Sequence, residues 1–223
     1  MSLVCHCREI HRPRRIVLTG GPDAGKTLII ELARRSLCHH VRVVPEASGI
    51  LFRGGFPTGE SQRQRRATQC AIYQVQRQME TVAEDENPAL LLCDRGTLDG
   101  LAYWPGPRED LWHAVGSSLE DELARYDAVI HLHTPVASPY DRFDDARELT
   151  PEDAEEIDDR ILRAWGGHPH RLILDQQLDA LERARQVMHF LRDELPTCCG
   201  GAWQANLARP ESASASAWGQ PPH

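Results

Sequence analysis

Short apolar runs alternate with longer stretches of helical periodicity from about Pro13 to Leu195. Arg14 to Thr19 reads as a short buried strand, and Lys26 to Cys38 as a helix with Leu28, Ile29, Leu32 and Ala33 turned inward. His40 to Glu46 reads as a second strand, followed by a Gly/Pro-containing loop around Phe52 to Gly59. Ser61 to Glu84 predicts a long helix with two adjoining stripes. Ile72, Val75, Met79 and Val82 are its expected core face, while Gln69, Tyr73, Gln76 and Glu80 run beside them at i, i+4, i+7 and i+11. Ala89 to Cys93 is a continuous apolar run ending at Asp94, the pattern of a fully buried parallel strand. Two short helices are expected between Arg108 and Tyr126, then a strand over Ala128 to Leu132 and a polar segment from Pro135 to Thr150.

Thr150-Pro151-Glu152-Asp153 starts another helix, with a capping hydroxyl, proline at the first helical position and an acid three residues on. Ala154, Ile157, Ile161 and Trp165 are its core stripe, and Gly166-Gly167 stops it. Arg171 to Leu174 is the last strand and Gln177 to Leu195 the closing helix. Strands interleaved with helices predict an α/β fold of three layers, a five-stranded parallel sheet with helices on both faces. The expected organisation is a flexible leader over 1–13, one domain over 14–195 and a disordered tail over 196–223. No internal repeat is visible.

Chemistry enters at the end of the first strand. Gly20-Gly21-Pro22-Asp23-Ala24-Gly25-Lys26-Thr27 is a complete G-x-x-x-x-G-K-[ST] phosphate-binding loop between a strand and a helix. Lys26 is the only lysine among 25 lysine and arginine residues. A chain that otherwise uses arginine retains an ammonium where a slender point charge must reach the β- and γ-phosphates, a task unsuited to a planar guanidinium. Backbone N–H groups and the helix N-terminus cradle the phosphates, and the Thr27 hydroxyl offers one Mg²⁺ ligand. The expected ligands are therefore Mg²⁺ and a nucleoside triphosphate, ATP or GTP.

In a parallel sheet, ligands gather beyond the carboxyl ends of the strands. The second strand ends at Glu46 and the third at Asp94-Arg95-Gly96-Thr97-Leu98-Asp99-Gly100. Asp94 is placed to hold Mg²⁺, directly or through water, and Arg95 to neutralise phosphate or position an acceptor. Helix capping is the competing role for these acids, and it fits Asp99 better than Asp94. Arg142 and Arg147, in Tyr140 to Arg147, are candidate lid cations that close over the phosphates, the alternative being a solvated loop. Gln69, Tyr73 and Gln76 are candidate acceptor contacts, against a plain solvent-facing side. Arg63, Arg65 and Arg66 could bind an anionic group, although they oppose the helix dipole.

Composition narrows the partners. The 223 residues are 41% hydrophobic, enough for a full core, and carry a net charge of −8, which disfavours nucleic acid. No apolar run approaches the ~20 residues of a membrane span, and Met1 to Cys7 lacks a signal-peptide segment. Seven scattered cysteines fit reduced thiols in a cytoplasmic protein. Cys5-His6-Cys7 with His11 lacks a second ligand pair at finger-like spacing, so a metal reading of the leader is weak. His131 and His133 share one strand face and read as structural more than as ligands. The tail, with Trp203 and Trp218, is compatible with a protein partner.

The phosphate loop, Pro45-Glu46-Ala47-Ser48-Gly49, Gly54-Gly55-Phe56-Pro57, Asp94 to Gly100 and Trp165-Gly166-Gly167-His168-Pro169 together resemble the P-loop kinase branch of the NTPases. They are similar to the AAA-type ATP-binding domains that group ribosylnicotinamide kinase-like domains with TRPL translocation defect proteins, over about residues 14 to 194. The resemblance implies a sheet order 2-3-1-4-5. In the related deoxynucleoside kinases a Glu at the second strand end is the general base, and an acid-Arg pair after the third strand serves metal and acceptor. Glu46, Asp94 and Arg95 match those positions. Ras-like GTPases are excluded, because their base-reading segment needs a second lysine. Two functions stay open: a kinase phosphorylating a nucleoside-like or other hydroxyl acceptor, or a nucleotide-dependent signalling protein with slow hydrolysis.

Overall fold

The computed structural model describes residues 5–135 and 150–199. The elements are β1 (Arg14–Gly20), α1 (Lys26–Ser36), β2 (Val41–Val44), α2 (Ala47–Arg53), α3 (Gln62–Glu84), β3 (Leu90–Asp94), a 3-10 helix (Thr97–Ala102), α4 (Arg108–Val115), α5 (Leu119–Ala124), β4 (Ala128–Leu132), α6 (Pro151–Ala164), β5 (Arg171–Leu174) and α7 (Ala180–Asp193). The strands form one sheet in the order β2-β3-β1-β4-β5, with every pairing parallel. This is the order the family resemblance implies.

Strand periodicity sorts the core into two layers. Ile16, Leu18, Leu90, Leu92, Ile130 and Leu132 point to the face covered by α1 and α7, through Ile29, Ile30, Ala33, Ala184, Val187 and Leu191. Val17, Leu91, Cys93 and Val129 point to the opposite face, against Tyr73, Leu111, Ile161 and Trp165. A central strand covered on both sides has no polar face, which is why β3 and β4 read as unbroken apolar runs. Among the described residues no helix is long and apolar enough to cross a membrane.

Local signals place the helix starts. Thr150 and Asp153 form the expected capping box on α6, Ser61 and Gln64 form one on α3, and Asp179 caps α7. Three sequence expectations need correction. Leu28 is 48% exposed, and Ile30 takes the inward place assigned to it. The second strand, read as ending at Glu46, stops at Val44, and α2, a helix too short to show its periodicity, follows from Ala47 and runs into the start of the loop read around Phe52 to Gly59. On α3 the stripes are inverted: Thr68, Tyr73, Gln76 and Glu80 are buried, whereas Val82 is 66% exposed. Ile72, Val75 and Met79 are only partly covered. The cause is a polar interior layer. Glu80 Oε1 accepts from Gln76 Nε2 (2.9 Å) and Tyr126 Oη (2.8 Å), and Arg125 pairs with its other oxygen. Glu122, fully buried, accepts from Tyr73 Oη (2.6 Å), Thr97 Oγ1 (2.7 Å), Ser117 Oγ (2.6 Å) and Arg77 Nη1 (2.9 Å). Each buried carboxylate is surrounded by donors, so its burial is tolerated.

Candidate active site

The phosphate loop leaves β1 between β4 and α6. A side chain at Gly20 would collide with the Leu132 carbonyl, and one at Gly21 with the Thr134 hydroxyl and Asp158. These two glycines therefore permit a close backbone approach that no larger residue allows. Gly21 N donates to Asp158 Oδ1 (2.7 Å), and Thr134 Oγ1 donates to the Pro22 carbonyl (3.0 Å). Asp23 and Gly25 take left-handed conformations, at φ 55° and 86°, curling the loop before α1 begins. Ala24 is buried and Thr27 exposed in the first turn of α1. Because Gly25 is the N-cap residue and has no side chain, the first N–H groups of α1 keep their capacity for an anion.

Lys26 Nζ donates to the Gly20 (3.2 Å) and Gly21 (2.7 Å) carbonyls. Burial, then the Arg95 guanidinium, bring its pKa down to about 8, while Asp94, Asp99 and Glu46 oppose the fall. Three carboxylates and two cations thus share one volume.

Arg95, in a left-handed conformation at φ 71°, organises that volume. Its Nε donates to Glu46 Oε1 (2.8 Å), and its Nη1 donates to the Gly20 carbonyl (3.2 Å) and to Asp99 Oδ2 (3.3 Å). Burial acts to lower its pKa, but Tyr103, Asp99 and Glu46 raise it, so the guanidinium is permanently charged. Burial would raise the Glu46 carboxyl, yet Arg95, the Ser48 hydroxyl (2.7 Å) and Lys26 hold it below its ordinary range. Glu46 is the N-cap residue of α2 without a side-chain capping bond. Asp94, at the end of β3, is pushed up to about 6, first by burial and then by Glu46.

Asp99 is no helix cap. At 3% exposed it accepts from Thr19 Oγ1 (2.6 Å) and Trp165 Nε1 (2.6 Å) as well as Arg95. Asp158 is the second acid that sequence reasoning missed. Besides Gly21 it faces His133 Nδ1 (2.6 Å) and His131 Nε2 (3.1 Å), and burial opposed by the His131 and His133 contacts leaves its pKa lowered. A signal existed: Asp158 falls inside the apolar stripe of α6, next to Ile157 and three residues before Ile161, where an unpartnered carboxylate would be costly. His131 and His133 thus share a partner on another element, and one ligand atom from each of the two histidines and from Asp158 lie within 4.8 Å of one another.

Beside Glu46 and Arg95 opens a cleft of about 660 Å³, also lined by Gln69, Tyr73, Gln76, Tyr103 and Arg65. Its size suits a small organic ligand. Gln69 lies on the cleft side of α3, facing Gly100. The Tyr73 hydroxyl is committed to Glu122, and the Gln76 amide donates to Glu80 and to the Arg95 carbonyl (3.3 Å). These two present surface more than polar ends. Arg66 is a structural residue, paired with Asp110 (2.6 Å) and stacked over Trp104, and Arg63 is exposed. Arg142 and Arg147 lie outside the described residues.

A family model described as an AAA domain matches residues 15–183. The chain belongs to this AAA-domain family. Membership implies nucleotide binding at the P-loop. A solved structure of deoxyadenosine kinase from M. mycoides, with products dCMP and a flexible dCDP bound, is similar to this AAA domain with a TM-score of 0.53 and 13% identity. The match covers 80% of this chain and 99% of that one. At that identity the likeness establishes the fold alone. No curated protein sequence matches this AAA domain.

Thr27 and Asp94 offer hard oxygens of the kind Mg²⁺ takes, at the end of the sheet that carries the phosphate loop, and a divalent cation there would oppose the rise that burial and then Glu46 impose on Asp94.

Proposed function

We propose that this AAA domain is a small-molecule kinase that transfers the γ-phosphoryl group of ATP to a hydroxyl of a nucleoside-like acceptor. One observation carries the reading. Arg95 joins Glu46, in the wall of the organic-sized cleft, to Gly20 of the phosphate loop, so acceptor and triphosphate would meet at a single ion pair.

The triphosphate would lie against the loop N–H groups and the start of α1, with Lys26 moving from the Gly20 and Gly21 carbonyls to the β- and γ-phosphates. Mg²⁺, held by Thr27 and Asp94, would neutralise charge on the same oxygens. Ser48 and Arg95 both bond Glu46 through Oε1, which leaves Oε2 to face the acceptor. That oxygen takes the hydroxyl proton as the acceptor oxygen bonds to the γ-phosphorus. The bond from that phosphorus to the bridging oxygen breaks, and ADP leaves with the electron pair. Arg95 keeps Glu46 ionised and offsets the charge that spreads over the transferred group. Gln69 would hydrogen-bond the acceptor, with Tyr73 and Gln76 as its walls. Arg142 and Arg147 are proposed as lid cations. GTP could replace ATP in the same chemistry.

The test is acceptor-dependent ADP formation across a panel of nucleosides and vitamins. Stimulation by at least one acceptor is expected. Slow hydrolysis that no acceptor stimulates would reject the kinase and favour a nucleotide-dependent signalling protein.

A further inference from the structure

At the opposite end of the sheet, five cysteines and two histidines from separate parts of the chain converge. Cys5 belongs to the segment before β1, Cys38 and His40 flank the turn between α1 and β2, and Cys199 follows α7 by one turn, its N–H bonded to the Pro196 carbonyl (2.8 Å). The ligand atoms of these four all lie within 4.8 Å of one another, and all four residues are buried. Cys7, His11, Cys198 and the same Cys199 form a second quartet on the same criterion. Within them, Cys199 Sγ lies 3.5 Å from His40 Nδ1 and 3.7 Å from His11 Nε2, and Cys7 Sγ lies 3.3 Å from His11 Nε2. Tetrahedral zinc, with Zn–S near 2.3 Å, separates its ligand atoms by about 3.8 Å, so these spacings suit a metal centre.

The second ligand pair that sequence spacing lacked is supplied by Cys38 with His40 and by Cys198 with Cys199. The first segment is also tied down beside the cluster: His11 N donates to Asn87 Oδ1 (3.1 Å), and Asn87 Nδ2 donates to the Glu9 carbonyl (3.2 Å). Thiolates and imidazoles select zinc over the hard cations of a phosphate site. Seven ligands are also the number that two four-coordinate ions need when they share one.

We propose that this cluster binds two zinc ions, one held by Cys5, Cys38, His40 and Cys199, the other by Cys7, His11, Cys198 and the shared Cys199. The ions staple the segments before β1 and after α7 to the amino ends of the strands. β1 spans seven residues, which puts the centre about 20 Å from the phosphate loop at ~3.3 Å per residue, so its role is structural.

Metal content of the full chain, purified in reducing buffer without chelator or metal-affinity steps, tests this. Wild type and the Cys70→Ser control should hold two equivalents of zinc. Cys38→Ser and Cys7→Ser should each lose one, and Cys199→Ser both. Should a variant fail to fold, a mercurial thiol reagent added to wild type should release two equivalents to a chromogenic chelator. Cobalt exchange should give tetrahedral thiolate spectra. No zinc, or a content unchanged in Cys38→Ser and Cys7→Ser, overturns the site. One equivalent per chain overturns the shared Cys199. Neither result bears on the kinase reading, because Cys7→Ser should bind nucleotide as wild type does.

Discussion

Arg95 donates to Glu46 at 2.8 Å, so the residue that follows β3 clamps the acid that follows β2. The pair is largely screened from water on the arginine side, at 16% side-chain exposure, and half open on the glutamate side, at 37%. Its acid is therefore charged and reachable together, the condition a general base must meet.

Glu46→Gln keeps the side-chain shape and removes the proposed base. Acceptor phosphorylation should fall by about 10² to 10⁴ while nucleotide affinity barely changes. Acceptor-stimulated ADP release, measured beside nucleotide affinity, checks it. An unchanged stimulated rate would remove Glu46 from the chemistry.

Lys26→Ala and Lys26→Arg should both weaken triphosphate binding or turnover strongly and leave the fold intact. The guanidinium is too wide for a site in which Nζ sits 2.7 Å from the Gly21 carbonyl. Wild-type affinity and turnover in both variants, with circular dichroism unchanged, would defeat the phosphate-loop assignment.

Activity should require Mg²⁺, and Asp94→Asn should reduce turnover more than it reduces metal-free nucleotide binding. Titrating Mg²⁺ into both proteins reads the difference. Full activity in chelator, or in the variant, would take Asp94 out of the metal site.

Asp158→Ala should destabilise the domain by about 1–3 kcal/mol, since the buried Gly21 N–H and His133 lose their hydrogen-bond partner and His131 its neighbouring carboxylate. The acid's pKa is lowered in the folded protein. Its contribution is therefore present above its ordinary value near 3.8 and lost as pH falls through the lowered value. The gap in thermal midpoint between wild type and variant should be full at neutral pH and close below about pH 4. A gap that persists in acid would mean that packing, not charge, makes the contribution.

What lies in one stretch of chain was legible in the amino-acid order. The five strands, the phosphate loop and the capped start of α6 depend on neighbours a few residues away, and each stands where local pattern places it. The same holds for the strand ends that carry Glu46, Asp94 and Arg95, because a parallel sheet turns every strand end into one shared edge. The tertiary structure alone decided which side of α3 faces inward. Apolar periodicity selected Val82, but burying Tyr73, Gln76 and Glu80 became tolerable only once Tyr126, Arg125 and Glu122 met them across the fold. Asp158 holds Gly21 from 137 positions away and Trp165 reaches Asp99 across 66, distances over which sequence carries no local signal. The cysteines show the same division. Their positions were visible, but the closeness of Cys5, Cys38 and Cys199 arises only when the sheet brings its amino ends together.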